Sequence, residues 1–413
     1  MTFGLVGESL RHSYSREIHE GLGEYEYRLF SLSMAEFEGF IAARQYDGLN
    51  ITIPYKQAVL PLCDRLTDSA RQIGAVNTLY FRQGELWGDN TDYQGFLYAA
   101  RTAEISFEKE TVLILGNGGA SLAARLAAQQ SGASQILTTS RRGEPGCISY
   151  GDVPLHRDTG IIINTTPVGM YPKNGCSLLD LTGFPNLRGV MDLIYNPLET
   201  DLLQQARRLG IPYANGLSML VAQATAAAER FTGKPGFQAE NEAILRRIER
   251  EVENIVLIGM PGCGKTRLGR ALAGKLKKRF IDMDEEITRL DGRSIPDIFS
   301  ESGEAYFRDL ETQAARAAGK ETSQVIAAGG GTVLRSENMR ALGQNGRVVF
   351  VQRPLESLAI DGRPLSKGKN TLKSMYEERL PLYNRYSDLT FQSAEGIEKS
   401  ATDLLSRLMY RRK

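Results

Sequence analysis

The chain has 413 residues, 42% of them hydrophobic and 24% charged, with 42 glycines and a formal net charge of +1. That length exceeds what one hydrophobic core covers and predicts two or three domains, while the composition excludes disordered and fibrous classes. Charges of both signs are interspersed, no apolar run approaches the roughly 18 residues needed to span a bilayer, and the opening MTFGLVGESL leads straight into strand-like sequence, which together predict a cytoplasmic protein with neither nucleic acid nor membrane as partner.

In residues 1–93 the apolar runs TFGLVG, GLNITIP and GAVNTLYF read as strands separated by helical patterns, a small α/β domain. A helix near 93–103 leads into TVLILG, QILTTS, GIIINTT and GVMDLIY, the parallel strands of a doubly wound sheet over 94–214. NGLSMLVAQATAAAERFTG has apolar residues at helical spacing and ends at Gly233 before Pro235, so a helix within 215–237 returns to complete the first domain. The charged segment 238–253 reads as a helical connector, with the domain boundary inside it. From 254 to 413 the strands NIVLIGM, FIDMD, QVIAAGG, RVVFVQ and DLTFQ alternate with helices in a third α/β domain. Cys63, Cys147, Cys176 and Cys263 stand far apart and the three histidines are scattered, so neither disulfides nor a zinc site is expected.

Two nucleotide-binding patterns stand in this chain. After TVLIL, the run GNGGAS supplies Gly116, Gly118, Gly119 and Ala120, followed by Ser121 in the place of a third small residue, at the start of a helix whose amino terminus can face a pyrophosphate. The next strand ends at Ser140, Arg141 and Arg142, with no acid at its end to bond an unphosphorylated ribose, which favours NADP over NAD. In the first domain, HSYS brings Ser13 and Ser15 to one side of an extended segment as hydroxyls for a carboxylate, or leaves them in an ordinary serine turn. Lys56 follows a proline that sets the backbone, and Asp92 stands in a polar, glycine-flanked turn; an ammonium and a carboxylate are the pair a ketone reduction needs, although a surface lysine and a capping acid read equally well from residues alone.

VGESLRHSYS, LNITIPYK, GAVNT, DNTDYQG, GNGGAS, INTTPVGMYP, DLIYNP and NGLSMLVAQA occur in an order that resembles the shikimate dehydrogenases over nearly the whole first 230 residues. The resemblance implies substrate contacts by Ser13, Ser15, Asn50, Thr52, Lys56, Asn77, Asp92 and Gln223, with Lys56 and Asp92 as the catalytic pair. It also implies that Tyr195 and Gly216 help close the cleft. The chain departs from that family at Ser9 and Arg16, where prolines are usual, and in carrying SRR for the more usual Asn-Arg-Thr, with Arg141 the best match to the 2′-phosphate contact.

The second pattern, GMPGCGKT, satisfies GxxxxGK[ST] through Gly259, Gly264, Lys265 and Thr266, with Gly262 inside the loop and Cys263 as a small side chain filling a non-contact position. Loop amides cradle phosphate, Lys265 reaches the transferred group and Thr266 ligates magnesium. In FIDMDEEI, Asp282 and Asp284 are two residues apart on an expected strand and face one side, the first for magnesium and the second for an acceptor hydroxyl. Arg308 on an expected helix, the glycines 329–331, and Arg379 just ahead of a proline-terminated helix suit a planar carboxylate.

Together with DGRPL and RLPLYNRYSD, these runs resemble the shikimate kinases over 254–413. The resemblance implies shikimate contacts by Asp284, Arg308, Gly330, Gly331 and Arg379, magnesium at Thr266 and Asp282, transition-state neutralisation by Lys265 and Arg363, and a lid near 361–374. Leu358 and Ala359 stand where many relatives carry a further arginine. The expected reactions are NADPH-dependent reduction of 3-dehydroshikimate to shikimate, then ATP- and Mg2+-dependent phosphorylation to shikimate 3-phosphate. Small molecules are thus the expected partners, and a homo-oligomer is compatible with the sequence. A quinate or related hydroxy-acid dehydrogenase, with NAD open to it, and a noncatalytic regulatory half stand as alternatives.

Overall fold

The computed structural model describes residues 2–8, 10, 14–23, 25–358, 369–393 and 396–409. The chain divides into two compact units, Met1–Asn196 with Thr200–Ile248 and Pro197–Glu199 with Glu249–Lys413, so one division falls inside the helix Asn241–Val252. Among the described residues no helix is long and apolar enough to cross a membrane.

The first unit holds two sheets. One is mixed and six-stranded: β1 (Phe3–Gly7), β2 (Tyr27–Ser31), β3 (Gly48–Ile51), β4 (Arg65–Leu66), β5 (Thr78–Arg82) and β6 (Glu85–Asp89), in the order β2-β1-β3-β5-β6-β4. β1 runs parallel to both neighbours and is buried along its whole length, as a strand covered on both faces must be apolar throughout. β5 and β6 pair antiparallel across Gln83 and Gly84, both at positive φ, the conformation a two-residue hairpin turn requires.

The other sheet is parallel: β7 (Thr111–Leu115), β8 (Gln135–Thr138), β9 (Ile161–Asn164), β10 (Gly189–Asp192) and β11 (Tyr213–Ala214), in the order β11-β10-β9-β7-β8. β7 is hydrogen-bonded to β8 on one side and β9 on the other, so the crevice at its carboxyl end is a topological switch point. The helices Asp92–Thr102 and Gly216–Thr232 pack on one another; Asn215 caps the second by accepting from the Leu217 N–H, and Gly233 ends it at φ 69°.

The second unit is a parallel sheet of β12 (Asn254–Ile258), β13 (Arg279–Asp282), β14 (Gln324–Ala327), β15 (Gly346–Gln352) and β16 (Leu389–Gln392), in the order β13-β14-β12-β15-β16. β12 lies between β14 and β15, again placing a switch point at the end of the strand that feeds a glycine loop.

Three local expectations are corrected. Asp92 is the first residue of a helix and not part of a turn. Asp282 ends β13 while Asp284 already lies in the helix Met283–Asp291, because the Asp282 carboxylate accepts the Asp284 N–H and caps that helix. Pro381 does not end its helix, which runs on to Tyr386; beyond the proline Tyr383 is fully buried against Phe350, ring centroids 4.9 Å apart, and that packing holds the last turn.

Candidate active sites

In the first unit Lys56 Nζ lies 2.6 Å from Asp92 Oδ2, with the two side chains 18% and 10% exposed, enough for both to meet a small molecule. The other Asp92 oxygen accepts from Asn77 Nδ2 at 2.9 Å. That same amide reaches Thr91 Oγ1 at 3.1 Å and Gln223 Oε1 at 3.4 Å, while Asn77 Oδ1 accepts the Thr91 N–H at 2.8 Å. Asn50 joins the network behind, donating to the Asn77 carbonyl and accepting from the Tyr27 hydroxyl at 2.7 Å. The polar residues singled out from sequence at 50, 56, 77, 92 and 223 are thus one connected set drawn from β3, the turn that follows it, the start of β5 and two helices. An ion pair in such a half-dry frame is held in one geometry and keeps its proton close to whatever binds against it.

Thr52 lies at the end of β3, its N–H bonded to the Val6 carbonyl. Ser15 is buried at the start of the helix Ser15–Gly21, beside Tyr14, whose ring lies 5.7 Å from that of Tyr195. Burial, with Tyr14 adjoining, raises the Tyr195 phenol above its ordinary range and keeps it a neutral donor. Gly216 bonds through its N–H to the Ile194 carbonyl, and a Cβ there would meet the Leu193 oxygen at 2.1 Å, so only glycine starts the helix at this point. Ser9 and Ser13 lie outside the described residues.

At the end of β7, Gly116 has φ 98° and turns the chain against Thr165 and Thr166. Gly118 and Gly119 face open space, with no atom within 4 Å of an added Cβ, and Ala120 and the buried Ser121 continue into the helix Gly119–Gln130. Beyond β8, Arg141 and Arg142 are exposed. Ser140 is buried, and its hydroxyl donates to Glu144 Oε2, the same oxygen that accepts from Asn117 Nδ2 at 3.2 Å. The strand end therefore does have an acid on it. Glu144 lies two residues beyond Arg142, the last residue of the expected strand end, and the sequence signal for it is the reversal marked by Gly143 and Gly146 on either side.

In the second unit a cavity of about 800 Å³ is lined by the loop after β12, by Asp282 and Asp284, and by Arg308, Gly330, Gly331 and Arg379. Gly259, Gly262 and Gly264 all have positive φ, which folds the loop tightly enough for Lys265 Nζ to donate to the Gly259 and Met260 carbonyls at 2.9 and 3.0 Å. Thr266 Oγ1 donates to Asp282 Oδ2 at 2.8 Å, so a hydroxyl and a carboxylate stand together as hard oxygen donors. Cys263 is buried with its sulfur 3.8 Å from Lys265 Nζ.

Arg308 is clamped by Glu311 at 2.8 Å and Glu304 at 3.0 Å, and a Cβ on Gly331 would strike its guanidinium at 2.5 Å. Arg379 Nη1 donates to the Gly330 carbonyl at 3.1 Å, while its buried Nε has no partner among the described residues. Glu311, 1% exposed and bonded also to Thr332 Oγ1, had no distinguishing signal in the sequence beyond its place one helical turn after Arg308. Leu358 is buried; Ala359, Arg363 and most of the expected lid lie outside the described residues.

Family models match both halves: "Shikimate dehydrogenase substrate binding domain" over residues 5–79 and "Shikimate kinase" over residues 261–409. The chain is 34% identical over 266 residues to a shikimate dehydrogenase (NADP(+)) of Clostridium perfringens, covering 60% of this chain and 98% of the relative. A crystal structure of shikimate 5-dehydrogenase from Thermus thermophilus in complex with NADP(H) and shikimate is 30% identical, with a TM-score of 0.54, over 60% of this chain and 99% of that one. A quinate dehydrogenase from Corynebacterium glutamicum in complex with NAD is 28% identical, with a TM-score of 0.52, over 59% of this chain and 98% of that one.

Proposed function

The chain belongs to the shikimate dehydrogenase family through its first unit and carries a shikimate kinase family domain in its second, and from that premise we propose that it reduces 3-dehydroshikimate to shikimate with NADPH and then phosphorylates shikimate with ATP and Mg2+. Residues 1–93, completed by 215–237, hold the dehydrogenase substrate; 94–214 hold the dinucleotide; 254–413 form the kinase.

The observation that carries the first reaction is the Lys56–Asp92 contact at 2.6 Å within the asparagine and glutamine frame. When bound, the reduced dinucleotide supplies a hydride to the ketone carbon. Lys56 faces the oxygen on which negative charge develops and gives it a proton, so ketone becomes alcohol. Asp92 holds the ammonium in place and accepts from a ring hydroxyl. Asn50, Thr52, Asn77 and Gln223 orient the remaining hydroxyls, Ser13 and Ser15 take the carboxylate, and Tyr195 with the backbone at Gly216 closes the cleft. The open faces of Gly118 and Gly119 fit a pyrophosphate, with Gly116 and Ala120 completing the cradle and Ser140, Arg141 and Arg142 at the ribose end.

For the kinase, ATP supplies the phosphoryl group and Mg2+ screens its oxygens. The amides of Gly259, Gly262 and Gly264 and the ammonium of Lys265 hold the phosphates; Thr266 and Asp282 fit the metal. Asp284 orients the acceptor hydroxyl and takes its proton. The buried Nε of Arg379, without a partner among the described residues, fits an anion, and Arg379 with Arg308 and the backbone of Gly330 and Gly331 receives the carboxylate. Arg363 is assigned to charge neutralisation by resemblance alone. The product of the first reaction is the acceptor of the second.

The likeness to a quinate dehydrogenase with NAD supports a second reading of the first unit. A substrate panel decides between them: purified chain is assayed with 3-dehydroshikimate and with 3-dehydroquinate, each with NADPH and NADH. The highest kcat/KM is expected for 3-dehydroshikimate with NADPH; a preference for 3-dehydroquinate would overturn the assignment. Arg141→Ala should raise KM for NADPH more than KM for NADH, and equal effects would reject the 2′-phosphate contact.

A further inference from the structure

We propose that Glu144 sets the coenzyme preference of the first unit, by holding the donors that a 2′-phosphate needs and by accepting the 2′-hydroxyl of an unphosphorylated ribose. The inference rests on the dinucleotide reading of the glycine loop.

The turn after β8 folds back on itself at Gly143 and Gly146, φ 64° and 79°. This reversal returns the Glu144 carboxylate to the strand end, where one oxygen accepts both from the Ser140 hydroxyl and from Asn117 Nδ2 on the glycine loop, the second at 3.2 Å. In a parallel sheet with this switch point, the space between the glycine loop and the end of the next strand faces the adenosine ribose. Glu144 therefore stands where an acid selects for a free 2′-hydroxyl, although it lies beyond the strand end in sequence.

Ser140 has one hydroxyl proton, already given to Glu144, and its oxygen also accepts the Arg142 N–H at 3.1 Å. It cannot donate to a phosphate until Glu144 leaves. The Ser140 and Asn117 bonds also hold the Glu144 carboxyl below the usual range, so it is charged at neutral pH and repels a dianionic phosphate. Arg141 and Arg142 favour the phosphate, and the charge of Glu144 opposes them. The coenzyme choice is the balance of these three side chains, with Glu144 drawing the enzyme toward dual use.

Calorimetric titration of the full chain with ADP-ribose and with 2′-phospho-ADP-ribose separates binding from turnover. In both Glu144→Gln and Glu144→Ala, the 2′-phosphorylated ligand should bind on the order of tenfold tighter and ADP-ribose more weakly, as expected for one like-charge contact removed. An affinity ratio within about twofold of wild type in both variants, with unchanged circular dichroism, would overturn the role of Glu144. Arg141→Ala distinguishes the levels: selective loss of the 2′-phosphorylated ligand in that variant, with the Glu144 variants unmoved, leaves the coenzyme site standing and sinks only the Glu144 proposal. Failure of wild type to bind either ligand sinks both.

Discussion

His19 is fully buried, stacked on Tyr27 with ring centroids 4.0 Å apart, and its Nδ1 meets the Tyr25 hydroxyl at 2.6 Å. Burial pushes its pKa down to about 3, against roughly 6.5 in an unfolded chain. Between those values the unfolded chain binds a proton that the folded one excludes, so stability falls as pH drops below 6.5, by up to about 1.4 kcal/mol per pH unit, and the group contributes no slope above it. Trp87 is the chain's one tryptophan and lies in the first unit, so its fluorescence in urea reports that unit. The stability difference between wild type and His19→Gln should shrink as pH falls from 6.5 to 4.5; a constant difference would reject the assignment. At this scale the sequence points to Lys56 and Asp92, which the fold brings into contact, because their neighbours form long motifs, whereas Glu144 and Glu311 make their contacts through a chain reversal and a helical turn. Charge type alone does not mark either of them.

The helix Gly216–Thr232 is the element that carries Gln223 to Asn77, and its first residue has no room for a side chain. Gly216→Ala should lower stability by about 1–3 kcal/mol through overpacking against Leu193 and raise KM for the dehydrogenase substrate more than it lowers kcat. Thermal unfolding followed by Trp87, with initial rates, checks this; wild-type stability and KM would show that the helix start relaxes freely. The long apolar strands and both glycine loops were legible because burial on two faces leaves continuous hydrophobic runs. β2 was not, since its burial alternates irregularly, and β6 was not, since its hairpin turn is Gln83–Gly84 and lacks the usual asparagine or aspartate signal. The sequence pattern puts Asp284 on a strand, whereas the capping bond at Asp282 switches strand to helix within one residue.

At the scale of the whole molecule, each compact unit carries one of the two proposed sites: the ion pair and glycine crevice in the first, the phosphate loop and arginine-lined cavity in the second. Nothing in either chemistry requires the other site to be working, so the two should fail separately and be linked by released shikimate. The most direct measurement supplies 3-dehydroshikimate, NADPH, ATP and Mg2+ to wild type, Lys56→Ala and Lys265→Ala, with folding checked by unfolding transitions. Wild type should form shikimate 3-phosphate. Lys56→Ala should lose on the order of 10²–10⁴-fold in reduction yet phosphorylate added shikimate at the wild-type rate. Lys265→Ala should reduce normally and accumulate shikimate, and mixing the two variants should restore the phosphate. Shikimate 3-phosphate formed from 3-dehydroshikimate at the wild-type rate by either variant alone would contradict the two-site assignment.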